Sequence, residues 1–524
     1  MTTRFFNAHI WDFSAERARE AQLTEESGVI RAVSFDKEPL PADRSVDCGG
    51  RLLLSGFVDS HMHLPGSQLY RRHGVYLMEC TTLAEYQRAL LPHRNDQGFL
   101  RGFGWNQQVF QEDPAALAQL RRFLDETFPQ LPVALFSDDY HSCLCNACLL
   151  RQAEEFLPAQ TLPEDGLLTE RMVFALMDGY PPLAFARQDV EDALLACQEL
   201  YLSRGITAVQ SLMAIGMEDE TCLDAVCGLA ERGEWHLHVN FAVTAHPGSS
   251  PRKVLDTLRA RQRRQGPLVR LDTVKIYADG VVDNASAFLL KPYSDCRGRG
   301  IPIWEEGELE RFCTFFDREG VQIHVHVIGD GAAEEITWAL ERAMAQNGRV
   351  RNENRHVLAH CQLVDEAAAE RMGRLGLYAA LQPFWFPGKR VYGVDAERLG
   401  DRAEACYPCA SLLERGAVVT LGSDLPVTPD PSPLVGMACA MNRRKEEERL
   451  SFSQALEAYT AAGMRQLGQG DEAGIIAPGY RADFVLVDGA SEDFSADAVA
   501  RMKVARTYVG GQCVYEREAC APED

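Results

Sequence analysis

The sequence predicts an α/β fold: a distorted TIM-type (β/α)8 barrel, a small β-sandwich domain formed from both termini, and a large insertion after barrel strand one. Three observations predict it. Through the middle of the chain, apolar β-rich runs alternate with helical patterns, the signature of βα units around a parallel sheet. Both ends read as short strands separated by turns. One interval between the first two central strands is far longer than a βα connection.

At the N-terminus the strand-like stretches are Thr3–Trp11, Gly28–Phe35 and Ser45–Leu54. At the C-terminus they are Ala482–Val487 and Thr507–Tyr515, introduced by the turn-like Ile476-Ala-Pro-Gly-Tyr-Arg-Ala-Asp. Neither terminal piece is long enough for its own core, so residues 1–54 and 475–524 are expected to pair into one sandwich flanking a barrel over 55–474. The barrel strands read as Leu52–Val58, Thr207–Ser211, His238–Thr244, Thr273–Ala278, Gln322–Ile328, His356–His360, Tyr378–Pro383 and Val418–Leu421. Eight such runs suggest closure. Residues 65–204 form the insertion, with helix-like stretches such as Ala115–Glu126, and are expected over the barrel mouth where catalytic loops gather.

A length of 524 residues implies one barrel-sized domain plus a smaller one. With 76 acidic against 53 basic side chains the net charge is −23, which repels nucleic acid and an anionic membrane alike. No run reaches the ~18 apolar residues of a membrane span, and Met1–Trp11 lacks a basic start and a long apolar run, so a soluble, cytoplasmic protein is expected. In that setting the sixteen cysteines read as reduced thiols. A structural zinc joining Cys145/Cys148 to Cys406/Cys409, or a redox role for Cys406-Tyr-Pro-Cys409, is disfavoured by sequence separation and by the lack of a βαβ redox context. A homodimer is entertained, although oligomeric state is not legible in the chain.

Chemistry concentrates at strand ends. In Gly56-Phe-Val-Asp-Ser-His61-Met-His63, side chains two apart share a strand face, so both histidines can reach one metal. A bare His-x-His is weak evidence, and two others calibrate it. His236-Leu-His238 precedes its strand and reads as structural. In His324-Val-His326, His326 lies near the C-terminal rim and is the ligand candidate, while His324 reads as a core or supporting residue. His360 closes strand six and Asp424 follows strand eight. Four imidazoles and a carboxylate converging in a barrel are costly unless they bind something. Lys275, at the matching place on strand four, is out of keeping with a cationic site as an ammonium. As a carbamate formed with carbon dioxide it becomes an anionic bridging ligand.

These stretches, namely Gly56-Phe-Val-Asp-Ser-His-Met-His, Val274-Lys-Ile-Tyr-Ala-Asp-Gly, His326-Val-Ile-Gly-Asp, Arg355-His-Val-Leu-Ala-His-Cys-Gln and Leu421-Gly-Ser-Asp-Leu-Pro-Val, resemble the amidohydrolase superfamily. The resemblance is to its YtcJ-like branch, which includes N-substituted formamide deformylase. Ala482-Asp-Phe-Val-Leu-Val and Thr507-Tyr-Val-Gly-Gly-Gln-Cys-Val-Tyr extend it into the terminal domain. It implies two divalent ions, with zinc favoured and iron or manganese also suited to the ligands. His61, His63 and Asp424 would hold one ion, His326 and His360 the other, with carbamylated Lys275 bridging. Two departures are Ala359, where the family usually has an acidic residue, and Cys361, where it has a small one; Cys361 reads as a spectator thiol.

The implied reaction is hydrolysis of a non-peptide carbon–nitrogen bond in a small-molecule amide. A metal-bridging hydroxide attacks, and Asp424 serves as base and then acid. Within the insertion, Gly102-Phe-Gly-Trp105-Asn and Ser137-Asp-Asp-Tyr-His141 resemble the branch's substrate-side segments. His141 reads equally as an oxyanion donor or a surface histidine, and Trp105 as substrate contact or packing. Asp279 and Asp330 are expected to cap turns or orient ligands. The alternatives are a cyclic-amine deaminase, against which Lys275 argues, a ring-opening cyclic amidase of the same superfamily, and a catalytically silent metal-binding scaffold.

Overall fold

Eight parallel strands make the central sheet: Phe57–Met62, Ile206–Ser211, His238–Thr244, Val269–Tyr277, Gln322–Val327, Val357–His360, Tyr378–Leu381 and Val418–Leu421. They neighbour one another in chain order, and they are buried along nearly their whole length, as a parallel sheet covered by helices requires. The computed structural model describes residues 1–106, 114–137, 142–157, 163, 165–169, 171–214, 217–283, 285–295, 298–386, 394–489 and 492–518.

The crossover helices present narrow apolar stripes to the sheet. In Glu308–Arg318, Leu309, Phe312, Cys313 and Phe316 are buried at helical spacing, while the intervening charges face outward. Between the last and first strands, backbone bonds outside the ladders draw the ends together: the Asp424 amide donates to the His61 carbonyl (2.8 Å) and the His63 amide to that of Leu425 (2.9 Å). Deeper in, Gln466 donates to the Ser60 carbonyl (2.8 Å) and accepts from the Thr420 hydroxyl (2.6 Å). Gly422 permits this approach, because a Cβ there would stand 2.7 Å from the His61 amide nitrogen.

The termini join as expected, in one seven-stranded sheet ordered Gln512–Glu516, Lys503–Val509, Phe484–Asp488, Arg44–Ser55, Thr2–Asp12, Arg17–Glu26, Val29–Ser34. Strands three positions apart in a flat sheet are about 14 Å apart. Yet the rings of Phe5 and Tyr508, on such a pair, are 5.1 Å apart, so the sheet curls tightly around its apolar core. An isolated bridge between Val29 and Arg481 joins its far edge back to the approach to the C-terminal strands.

The insertion holds more regular structure than its sequence suggests. Besides the helix Pro114–Thr127, it contains a five-stranded sheet ordered Leu167–Thr169, Ser142–Cys145, Val133–Ser137, Leu100–Trp105, Val75–Tyr76. Tyr86, Trp105, Leu120, Leu124 and Phe128 form a separate core there.

The structure also corrects two strand assignments. The run expected as the first barrel strand, Leu52–Val58, divides at Gly56: Arg44–Ser55 belongs to the terminal sheet, and the barrel strand begins at Phe57. Two apolar segments in series look like one strand until the glycine between them turns the chain against Thr207, whose hydroxyl a Cβ would meet at 2.3 Å. Thr507–Tyr515 likewise proves to be a hairpin, Lys503–Val509 and Gln512–Glu516, turning at Gly510 and Gly511, both with positive φ. Every described cysteine is a free thiol. Among the described residues no helix is long and apolar enough to cross a membrane.

Candidate metal centre

Strand alternation and strand ends deliver His61, His63, Lys275, His326, His360 and Asp424 to the C-terminal mouth of the barrel. His61 is the penultimate residue of the first strand, and His63 follows it on the same face. His360 ends strand six, with φ of 70°, and Asp424 follows strand eight, with φ of 55°. Left-handed backbone at two non-glycine residues costs on the order of 1–3 kcal/mol each and persists where surrounding contacts over-determine it. Here those contacts are the cross-barrel hydrogen bonds of Asp424 and the clamp of Asp59.

Asp59, two residues before His61, accepts from the Ser423 amide (2.9 Å), the Ser423 hydroxyl (2.5 Å) and the Tyr201 hydroxyl (3.0 Å). It thus ties strand one to the residue preceding Asp424. Asp279 plays a comparable part, accepting from the amides of Ile328 (3.0 Å), Gly329 (2.7 Å) and Phe288 (2.9 Å) and so fixing the turn beyond His326. Asp330 accepts from the Leu290 amide at 2.9 Å.

Each imidazole has one nitrogen engaged outside the cluster. His63 Nδ1 donates to the Met213 carbonyl (3.0 Å), His360 Nδ1 to the Gln382 side-chain oxygen (2.8 Å) and His326 Nε2 to the Gly280 carbonyl (3.0 Å). Because these partners can only accept, the engaged nitrogen carries the proton in the neutral ring and the other presents a lone pair. His61 Nδ1 pairs with His324 Nε2 at 2.9 Å. His61 Nε2 and Asp424 Oδ1 then face each other at 3.3 Å without hydrogen-bond geometry, and neither buried atom has a hydrogen-bond partner. His63 Nε2 lies 3.1 Å from the same oxygen.

That donor set suits a divalent cation: oriented imidazoles, a carboxylate, and two orphaned buried atoms aimed at one point. Among the described residues, His61, His360 and Asp424 are the one group of three such side chains whose ligand atoms all lie within 4.8 Å of one another. The His326 and His360 ring centres are 4.6 Å apart, placing His326 beside the group.

The electrostatics agree. Burial opposes ionisation of Asp424, yet His61, His63 and His360 beside it hold its carboxyl well below the usual carboxylate range. Burial pushes the pKa of His61 well down and that of His360 to about 4. Burial also draws the Lys275 amine down to about 7 against the attraction of Asp424, so a large fraction is unprotonated near neutrality.

Other expected residues fall elsewhere. Trp105 is 1% exposed in the insertion's core, a packing position. His141 lies outside the described residues. His238 faces Asp483 at 3.4 Å at the opposite end of its strand, and Cys361 is a buried thiol whose pKa burial raises. Residues not singled out from sequence are Asp59, Gln382, Met213 and Trp385. Trp385 stacks on His360 (5.3 Å, 11°) and donates to the Thr428 hydroxyl at 3.1 Å. A usable signal existed for Asp59, which alternation puts on the face of His61.

A parallel barrel with ionisable groups from several strand ends gathered at its C-terminal mouth defines an enzyme of the barrel class. The chain belongs to the amidohydrolase family, which it matches over residues 44–515, and is accordingly a hydrolase. It is 27% identical to the YtcJ protein of Bacillus subtilis, across 97% of this chain and 98% of that one. It is 23% identical to the N-substituted formamide deformylase of Arthrobacter pascens, across 98% of each. Its fold matches the crystal structure of an uncharacterised metal-dependent hydrolase from Pyrococcus horikoshii with a TM-score of 0.76 and 23% identity, over 95% of this chain and 99% of that one.

Proposed function

We propose that this chain hydrolyses a non-peptide carbon–nitrogen bond in a small-molecule amide, using a binuclear centre bridged by carbamylated Lys275. The observation that carries the reading is Lys275 itself. A lysine 1% exposed beside a cluster of imidazoles and a carboxylate is costly as an ammonium, and burial favours its neutral form. Neutral Nζ adds to carbon dioxide and releases a proton, leaving an anion with two oxygens.

His61, His63 and Asp424 would hold one ion, His326 and His360 the second, with the Lys275 carbamate between them. Divalent ions so held, zinc being suited to these ligands, supply Lewis acidity toward the amide carbonyl and a lowered pKa for water. Asp424, an ionised carboxylate at the centre of the cluster, accepts the proton of the attacking water and returns it to the departing amine nitrogen. Trp385, stacked on His360, covers one side of the site and limits the approach of solvent.

The test is a hydrolysis screen of N-formyl, N-acyl and cyclic amides with metal-replete protein, run beside Asp424→Asn. Amine release that depends on metal and disappears in the variant supports the reading. Absence of turnover across all three classes in protein holding its metal would remove it.

A further inference from the structure

Beside the metal cluster lies a chamber of about 490 Å³, within the range of small-molecule sites. It is roofed by the insertion, through Tyr70, Phe136 and Tyr180, and floored by the segments following barrel strands two and three. Two connections place it next to the cluster. The Met213 carbonyl that orients His63 belongs to a residue of the chamber wall, and Thr244, another wall residue, is the register partner of Lys275 in the adjoining strand. His63, the ligand candidate bonded to that wall, has a side chain 11% exposed, against 1% for His61.

The wall chemistry is specific. Three aromatic rings face Met177, Met213 and Met217, whose unbranched, polarisable side chains adapt to varied apolar shapes. Of the charged wall residues, Asp219 accepts from the Ala214 amide (2.8 Å) and Arg261 pairs with Glu220 (2.7 Å), while Glu218 adds a second carboxylate. An anionic substituent would meet the carboxylates of Glu218 and Asp219, and burial of any charge against rings and thioethers is costly. One polar atom does await a partner, the enclosed Thr244 hydroxyl, which makes no hydrogen bond.

We infer that this chamber is the subsite for the non-reacting arm of the substrate, an uncharged aromatic or cyclic aliphatic group, with the Thr244 hydroxyl hydrogen-bonding a polar atom next to the scissile bond. The inference rests on the amide-hydrolase reading for its chemistry, but not for its binding. The methionine wall makes acceptance graded, so phenyl and cyclohexyl arms both enter.

Two measurements separate the subsite from the reaction. In the first, turnover is compared for N-methylacetamide, N-(cyclohexylmethyl)acetamide, N-phenethylacetamide and the charged N-acetyl-β-alanine. Burial of a ring should raise kcat/KM roughly tenfold to a hundredfold over the methyl and carboxylate members. In Met217→Trp, or Met177→Trp from the opposite wall, the phenethyl-to-methyl ratio should fall about tenfold as the chamber fills. Thr244→Val should raise KM for the phenethyl amide by up to about tenfold with little change in kcat, the loss of one hydrogen bond.

The second measurement is calorimetric binding of phenylpropyl methyl ketone, the isostere of the phenethyl amide, against ethyl methyl ketone. The phenyl compound should bind at least tenfold more tightly, and either tryptophan variant should erase the difference. If the ketones behave so but no N-formyl, N-acyl or cyclic amide is hydrolysed, the subsite stands and the amide reading falls. Equal binding of the two ketones, or turnover indifferent to the arm, overturns the inference.

Discussion

His324 Nε2 lies 2.9 Å from His61 Nδ1, and the ring of His324 is wholly buried beneath the cluster. The two residues are partners across the barrel rather than neighbours in the chain. The contact sets the rotation of the His61 ring and directs its Nε2 toward Asp424. A histidine that orients a ligand in this way is worth roughly 10–100-fold in metal affinity. His324→Ala should therefore retain less metal than the parent after dialysis against a graded chelator series, with Gln in its place restoring part of the loss. Equal retention in the alanine variant would reduce His324 to packing.

Asp424→Asn keeps the volume of the side chain and removes the proton acceptor. Turnover should fall by at least the ~10²-fold associated with loss of a general acid–base group. The ion nearest His61 should also be held less tightly, since the variant lacks the anionic oxygen that faces it at 3.3 Å. Steady-state kinetics together with metal content measure both, and near-parental turnover would assign the proton to another group.

Carbamylation of Lys275 needs an unprotonated amine, and burial brings this one down to about 7. Reconstitution of metal-free protein should accordingly be faster or more complete with added bicarbonate, and with ¹³C-labelled bicarbonate a carbamate carbon resonance should appear that Lys275→Ala lacks. The alanine variant should lose activity and much of the second metal, and a short carboxylic acid should restore part of both. Two bound metals and parental turnover in Lys275→Ala would contradict the bridged centre and favour a mononuclear site.

At the opposite end of the barrel, Asp317 accepts from His356 Nε2 (3.0 Å), Asn354 (2.8 Å), Asn347 (2.7 Å) and Arg349 (3.0 Å), and both Asp317 and His356 are buried. Burial disfavours the Asp317 charge, but these donors, His356 foremost, hold its pKa at about 2; burial depresses His356 below its usual value. Both folded pKa values lie below their unfolded ones, so both contributions are present at neutral pH and lost on acidification. His356 loses its part as pH falls below about 6.5, and Asp317 loses its part between about 4 and 2. Scanning calorimetry should find the melting temperature declining from about pH 6.5 and more steeply below about 4. Asp317→Ala, by leaving its donors unpaired, should cost about 3–5 kcal/mol at pH 7 and remove the lower limb. An unaltered acid limb in that variant would place the sensitivity elsewhere.

How far the chain announces its structure varies by element. His238–Thr244 and Val418–Leu421 coincide with their expected bounds, because short runs rich in β-branched and apolar residues are a local signal. The strand Arg17–Glu26 escaped reading because five of its ten residues are charged, and only pairing on both sides makes it a strand. The insertion's sheet escaped because its edge strands, Val75–Tyr76 and Leu167–Thr169, are too short to show a period.

The site divides in the same way. Motif order and strand alternation, both local properties, determined that His61, His63, Lys275, His326, His360 and Asp424 stand at strand ends of one barrel. Only the tertiary structure decided what each imidazole's second nitrogen meets, that Asp59 holds Ser423 from 364 residues away, and that Trp105 packs inside the insertion. Hydrogen-bond geometry and exclusion from solvent depend on which distant segments pack together. The side-chain types are therefore written along the chain, whereas the orientation of their lone pairs and the shape of the chamber beside them exist only once the barrel has closed.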